Sequence, residues 1–173
     1  DVVVKIPAHP GEQACRLEPK AWEAHFYLGR ALAEQARGAD HARRLVERAQ
    51  FHLVRALKDG LAPDLKASAL KDLGVTCLAT GRYAEAERIF QRLREHPRHR
   101  QRARFHLGKV AYSLGKYKNA IHHLRAFLAD APPDAGAWTT MAQAFLQLGE
   151  LQRAREACNQ ALLLDPEHVE ARY

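Results

Sequence analysis

Apolar residues recur at helical spacing along most of this chain, and the helices they mark recur in turn. Leu45, Ala49, Leu53, Ala56 and Leu57 fall on one face of a helix running from His41 toward Lys58. Ahead of it, a helix starting near Pro19-Lys20 carries Trp22, Phe26, Leu28-Gly29 and Leu32 and fades near Gly38. Downstream the pattern becomes regular. Leu73-Gly74 returns as Leu107-Gly108 and again as Met141-Ala142, at an interval of 34 residues each time. Gly81 returns as Gly115 and Gly149, Tyr83 as Tyr117 and Leu151, Ala86 as Ala120 and Ala154, and Phe90 as Leu124 and Cys158. A fixed period of this length predicts a stacked array of helical hairpins rather than one closed domain.

Breakers and caps divide the array. Residues 1–19, with Pro7, Pro10, Gly11 and Pro19, are expected to be an irregular N-terminal segment. Residues 20–173 form the array: an enlarged unit at 20–62, units at 63–97, 98–132 and 133–166, and a partial helix at 167–173. Asp40 and Asp64 are candidate N-caps, for helices starting at His41 and Leu65, and Gly60 follows the end of the first of these. The later helices are expected at Leu65–Thr80, Tyr83–Arg94, Gln101–Leu114, Tyr117–Ala129, Asp134–Leu148 and Leu151–Leu164. Gly81 can end its helix in the left-handed conformation without steric cost. Gly29 to Ala49 spans 20 residues where Gly74 to Ala86 spans 12, so the first unit carries eight extra residues. Gly74, Gly108 and Ala142, with Ala86, Ala120 and Ala154, mark places where one helix presses on another and a larger side chain would overpack.

The fourth unit carries Trp138, Met141-Ala142, Phe145, Gly149, Ala154, Ala161 and Pro166, and the third carries Leu107-Gly108, Gly115, Tyr117, Ala120 and Pro132. In these spacings the chain resembles the tetratricopeptide repeat (TPR) family. The resemblance implies an all-α fold, a right-handed superhelical stack of antiparallel helix hairpins. It also implies a non-catalytic scaffold that holds a peptide or helix of a partner protein in a concave groove. The groove positions of that family fall on Glu23, Phe26, Arg30, Ala33 and Glu34 in the first unit, and on Ser68, Lys71, Val75, Leu78 and Ala79 in the second. In the third they fall on Arg102, Phe105, Lys109, Tyr112 and Ser113, and in the fourth on Gly136, Thr139, Gln143, Leu146 and Gln147. Arg102, Lys109 and Lys71 suit an acidic peptide, with Phe105 and Tyr112 supplying contact area. Equally, the cations could be solvated and the rings could fill space between helices. The only asparagines, Asn119 and Asn159, lie on second helices, which argues against a carboxylate clamp of the chaperone-binding type.

Charge adds an alternative. Of a formal net charge of +7 among 173 residues, one stretch holds most of the excess: Arg92, Arg94, Arg98, Arg100, Arg102 and Arg104 against Glu95 alone. Such a tract can neutralise phosphates, so a basic module binding nucleic acid or another polyanion is the competing reading. No Gly-rich or aromatic-interleaved motif accompanies it, and a solvated run or an acidic protein partner accounts for it more simply. An uncovered end at Tyr173 raises self-association as a third reading.

The remaining chemistry is sparse. Cys77 and Cys158 fall on apolar stripes as small buried hydrophobes, while Cys15 reads as an exposed thiol; three scattered cysteines make no disulfide framework. Pro97 prevents His96 and His99 from sharing a helix face, and His122 and His123 point to different faces, so no metal site is expected. No nucleophile–base pair, phosphate loop or dinucleotide fingerprint is present, so neither catalysis nor a cofactor is expected. The stretch from Asp1 to Pro7 lacks the features of a secretory signal, and no apolar run reaches the length of about 18 residues that a membrane span needs. The start at Asp1 rather than Met suggests a mature or excised fragment, and the compartment stays open.

Overall fold

A computed structural model describes residues 22–36, 42–58, 61 and 63–166. Among these residues there are eight α-helices and no strand: α1 (Trp22–Gln35), α2 (Ala42–Lys58), α3 (Pro63–Ala79), α4 (Tyr83–Arg94), α5 (Arg100–Ser113), α6 (Tyr117–Leu128), α7 (Ala135–Gln147) and α8 (Leu151–Leu164). A three-residue 3-10 turn, Pro97–His99, precedes α5. The fold is all-α, of the helical-hairpin solenoid class. It divides between Gly81 and Arg82 into two compact units, each with its own packing.

The helix ends have local causes. Gly81, Gly115 and Gly149 have φ of 73°, 72° and 74°, the left-handed region that glycine enters without a Cβ penalty. After α5 the Lys116 N–H donates to Ala111 O (2.8 Å) and the Gly115 N–H to Tyr112 O (2.9 Å). After α7 the Glu150 N–H donates to Phe145 O (2.9 Å) and the Gly149 N–H to Leu146 O (3.0 Å). Both pairs form the Schellman arrangement, which satisfies carbonyls that the helix leaves open. At the start of α7, Asp134 Oδ1 accepts the Ala137 N–H at 2.9 Å. Replacing it by Ala should cost about 1 kcal/mol of stability, read from the denaturation midpoint; an unchanged midpoint would show that the cap contributes nothing.

Helix α3 starts at Pro63, one residue before the cap position assigned to Asp64. Proline is pre-organised for the first helical position, so Asp64 falls inside the first turn instead of capping it. The start of α3 thus moves two residues from Leu65, and the helix starts at Gln101 and Asp134 shift by one residue each, to Arg100 and to Ala135 with Asp134 as its cap. Asp40, Gly60, Cys15 and the segments 1–19 and 167–173 lie outside the described residues.

In the first unit, α2 packs on α1 and on α3. Phe26, Leu53, Ala49, Ala56 and Cys77 are wholly buried. Gly29 is where α1 meets α2: a Cβ there would lie 2.8 Å from Leu53 Cγ. In the second unit, α4 to α8 pack in sequence, and α5 also touches α7. Its core holds Leu124, Ile121, Phe127, Met141 and Phe145 among small residues, Ala120, Ala142 and Ala154 included. Phe90 stacks on His106 with ring centroids 4.7 Å apart. Cys158 is half-buried there.

Candidate functional site

In the second unit, α5 presents Arg102, Phe105, Lys109 and Tyr112 along one stripe, at the three- and four-residue steps that keep one helix face aligned. Arg102 and Lys109 are exposed, while Phe105 and Tyr112 are half-buried. The Phe105 ring leans on Phe127, with centroids 5.3 Å apart. Lys109 Nζ lies 5.7 Å from the Phe105 centroid, so this cation and ring present one composite surface. Tyr112 is held by Tyr117 at 5.7 Å between centroids. On neighbouring α7, Gln143 is half-buried, and Leu146 and Gln147 are exposed. Thr139 differs: it is 2% exposed and its hydroxyl donates to Ala135 O at 2.9 Å. It belongs to the packing of α7 and has no surface to offer a ligand.

The first unit has its own face on α1 and α3. Phe26 is fully buried in the core. Lys71 and Val75 are half-buried. Asp72, buried, takes Lys71 Nζ at 3.1 Å and Arg30 Nε at 3.3 Å. Asp72 therefore partly neutralises the two cations that the groove positions offered here. Its signal in the sequence was an acid set directly before the recurring Leu73-Gly74 pair.

The arginine run does not form a single patch. Arg104 lies half-buried against α6 and donates to Asp130 Oδ2 (2.8 Å), Ala126 O (3.2 Å) and Gln101 Oε1 (3.3 Å). Gln101 and then Arg104 hold the Asp130 carboxyl below its ordinary pKa. Arg102 lies on the Phe105 stripe, and Arg92 is exposed on α4. Arg98 lies on the 3-10 turn, between Pro97 and His99. Arg94 and Arg100 line a cleft with His122 and His123. A further cleft of about 670 Å3, between α6, α7 and α8, has Arg125 and Arg153 over the Phe145 ring at 5.8 and 6.0 Å.

Sequence reasoning did not find the histidine pair of the first unit. His25 Nδ1 and His52 Nδ1 are 2.7 Å apart, so one ring must donate a proton and the other accept it. Burial, then the charges of His25 and Arg48, push the His52 pKa down to about 4. A base held neutral in the folded state contributes stability that is complete above its ordinary pKa of 6.5 and is lost as the pH falls from there toward 4. The thermal midpoint should therefore fall across that window, and fall less in His52→Phe. Parallel pH profiles for the two proteins would contradict this.

Among the described residues no group of three or more His, Cys, Asp or Glu side chains could hold a metal ion, and no helix is long and apolar enough to cross a membrane.

Two family models match the sequence. One is the tetratricopeptide repeat, over residues 40–103, and the other is subunit 3 of the anaphase-promoting complex, or cyclosome, over residues 79–161. No curated protein matches in sequence. Solved structures are similar in fold at low identity. YrrB, described as a TPR protein with an unusual peptide-binding site, is 19% identical with a TM-score of 0.75, covering 93% of this chain and 77% of its own. MamA from AMB-1 is 24% identical with a TM-score of 0.74, covering 90% of this chain and 86% of its own. PilF of Pseudomonas aeruginosa is 18% identical with a TM-score of 0.71, covering 94% of this chain and 69% of its own.

Proposed function

The chain belongs to the tetratricopeptide repeat family, a protein-interaction fold, and from that premise we propose that a peptide or helix of a partner protein binds on the α5–α7 face. Phe105, Lys109 and Tyr112 form its centre, Arg102 supplies a second cation, and Gln143 and Leu146 extend it onto α7. Lys71 and Val75 are the corresponding residues of the first unit, with a weaker cationic character because Asp72 holds Lys71.

The observation that carries this reading is the composite Phe105–Lys109 surface beside the half-buried Tyr112. Aromatic residues braced from below and open on one side offer contact area at little cost in conformational entropy. The adjacent cations favour an acidic partner. A peptide-binding site in a neighbour of the same fold is consistent with it. The protein would act by holding a partner and not by chemistry of its own.

The test is the salt dependence of affinity for a peptide selected against the full chain by display. Binding through rings and two or three cations should weaken only modestly with salt. A steep log-linear loss, of the kind that release of many counterions produces, would instead support the polyanion reading.

A further inference from the structure

Arg94 at the end of α4, Arg100 and Arg104 in the first turns of α5, and His122 and His123 on α6 line one open cleft of about 410 Å3, with Glu95 and Ala126. Arg104 is fixed there by Asp130, Gln101 and the Ala126 carbonyl, so its charge is anchored and partly shared. Arg94 and Arg100 are exposed and make no ion pair among the described residues. Glu87, the other nearby carboxylate, is taken by Lys116 Nζ at 3.0 Å. The field in the cleft is positive: His123 is held below its ordinary pKa first by burial, then by His122, Arg94 and Arg104, with only Glu87 opposing.

We propose that this cleft binds a phosphoryl group carried on a partner polypeptide, a phosphoserine or phosphothreonine, with Arg94 and Arg100 as the principal donors. Guanidinium forks match the geometry of phosphate oxygens, and two uncommitted forks beside imidazole N–H groups supply the several charge-assisted bonds that a dianion takes. A single group fits the cleft better than a nucleic acid does. Glu95 in its wall, and Asp130 on Arg104, would repel the successive phosphates of a strand. Arg100 and Arg104 are turned from Arg102 and Phe105 by about 100–160° around α5, so the cleft and the α5–α7 face are distinct surfaces.

The test follows the His122 and His123 ring signals by NMR in the full chain. Inorganic phosphate should raise the His123 pKa relative to chloride at equal ionic strength, because a dianion stabilises the imidazolium. Arg94→Gln with Arg100→Gln, at two exposed positions, should abolish the rise. A short Gly-Ala peptide carrying one phosphoserine should bind about tenfold or more tightly than its unphosphorylated twin, and the double variant should remove that margin. No response to phosphate beyond that to chloride, or equal binding of the two peptides, would overturn the proposal. So would a single-stranded RNA oligonucleotide that binds more tightly than the phosphopeptide through the same arginines.

Discussion

Gly108→Ala should destabilise the second unit by about 1–3 kcal/mol, although alanine is the better helix former by about 1 kcal/mol in isolation. A Cβ at this position would lie 2.5 Å from Leu124 Cγ and 2.7 Å from Leu124 Cδ2. Real Cβ atoms do not approach so closely, so either the leucine leaves its rotamer or α5 and α6 separate. Leu124 is wholly buried and cannot move into solvent. Leu124→Ala alone should cost about 2–5 kcal/mol through lost burial and the cavity it leaves. Because the two sites share one contact, the double variant should be more stable than the sum of the single effects implies. Denaturant titration of the four proteins checks this, and strict additivity would show that the close approach is not what requires glycine. Ala120→Leu, at a fully buried position on α6, tests the same principle and should lower the melting temperature clearly.

Tyr112→Ala should weaken binding of a peptide on the α5–α7 face by about tenfold or more, the range for an aromatic side chain near the centre of an interface. Lys109→Ala should cost less, about threefold to tenfold, because the cation is exposed and screened, and that loss should shrink with added salt. Tyr112 also braces Tyr117, so truncation could act through the fold. Tyr112→Phe separates the two effects: it keeps the ring contact and removes only the hydroxyl. Affinity retained in Tyr112→Phe and lost in Tyr112→Ala is the expected pattern. If Tyr112→Ala and Lys109→Ala both bind normally while Arg98→Ala with Arg100→Ala abolishes binding, the α5–α7 face is not the site.

The fold was legible because its constraints act at fixed offsets. The close approaches of Gly29 to Leu53 and of Gly108 to Leu124, and the left-handed turns at Gly81, Gly115 and Gly149, each restrict residue type at a recurring position. Those restrictions survive in the sequence as a period. The ends of α4 and α8 fall where breakers placed them, at Tyr83–Arg94 and Leu151–Leu164. The start of α3 was missed by two residues because Pro63 and Asp64 compete for the same helix terminus, and each is a sound start signal alone.

The site was less legible, for reasons of direction and depth. Arg92 to Arg104 are contiguous in sequence, but each helical residue rotates by about 100°, so neighbours in the run face different surroundings. Arg104 is committed to Asp130, 26 residues away, and Arg30 and Lys71 converge on Asp72. No local pattern records such pairings. A register rule selects a helix face but not how deeply it is covered, which is why Thr139 is buried while Gln143, one turn on, reaches the surface. His25 and His52 meet across 27 residues of chain and gave no signal in either helix.

The most direct measurement is an amide chemical-shift map of the full chain as a display-selected peptide is added. Partner binding on the α5–α7 face predicts that the largest changes cluster at Arg102, Phe105, Lys109 and Tyr112 on α5 and at Gln143 and Leu146 on α7. Changes confined to α4, α6 and α8, with those residues silent, would contradict it.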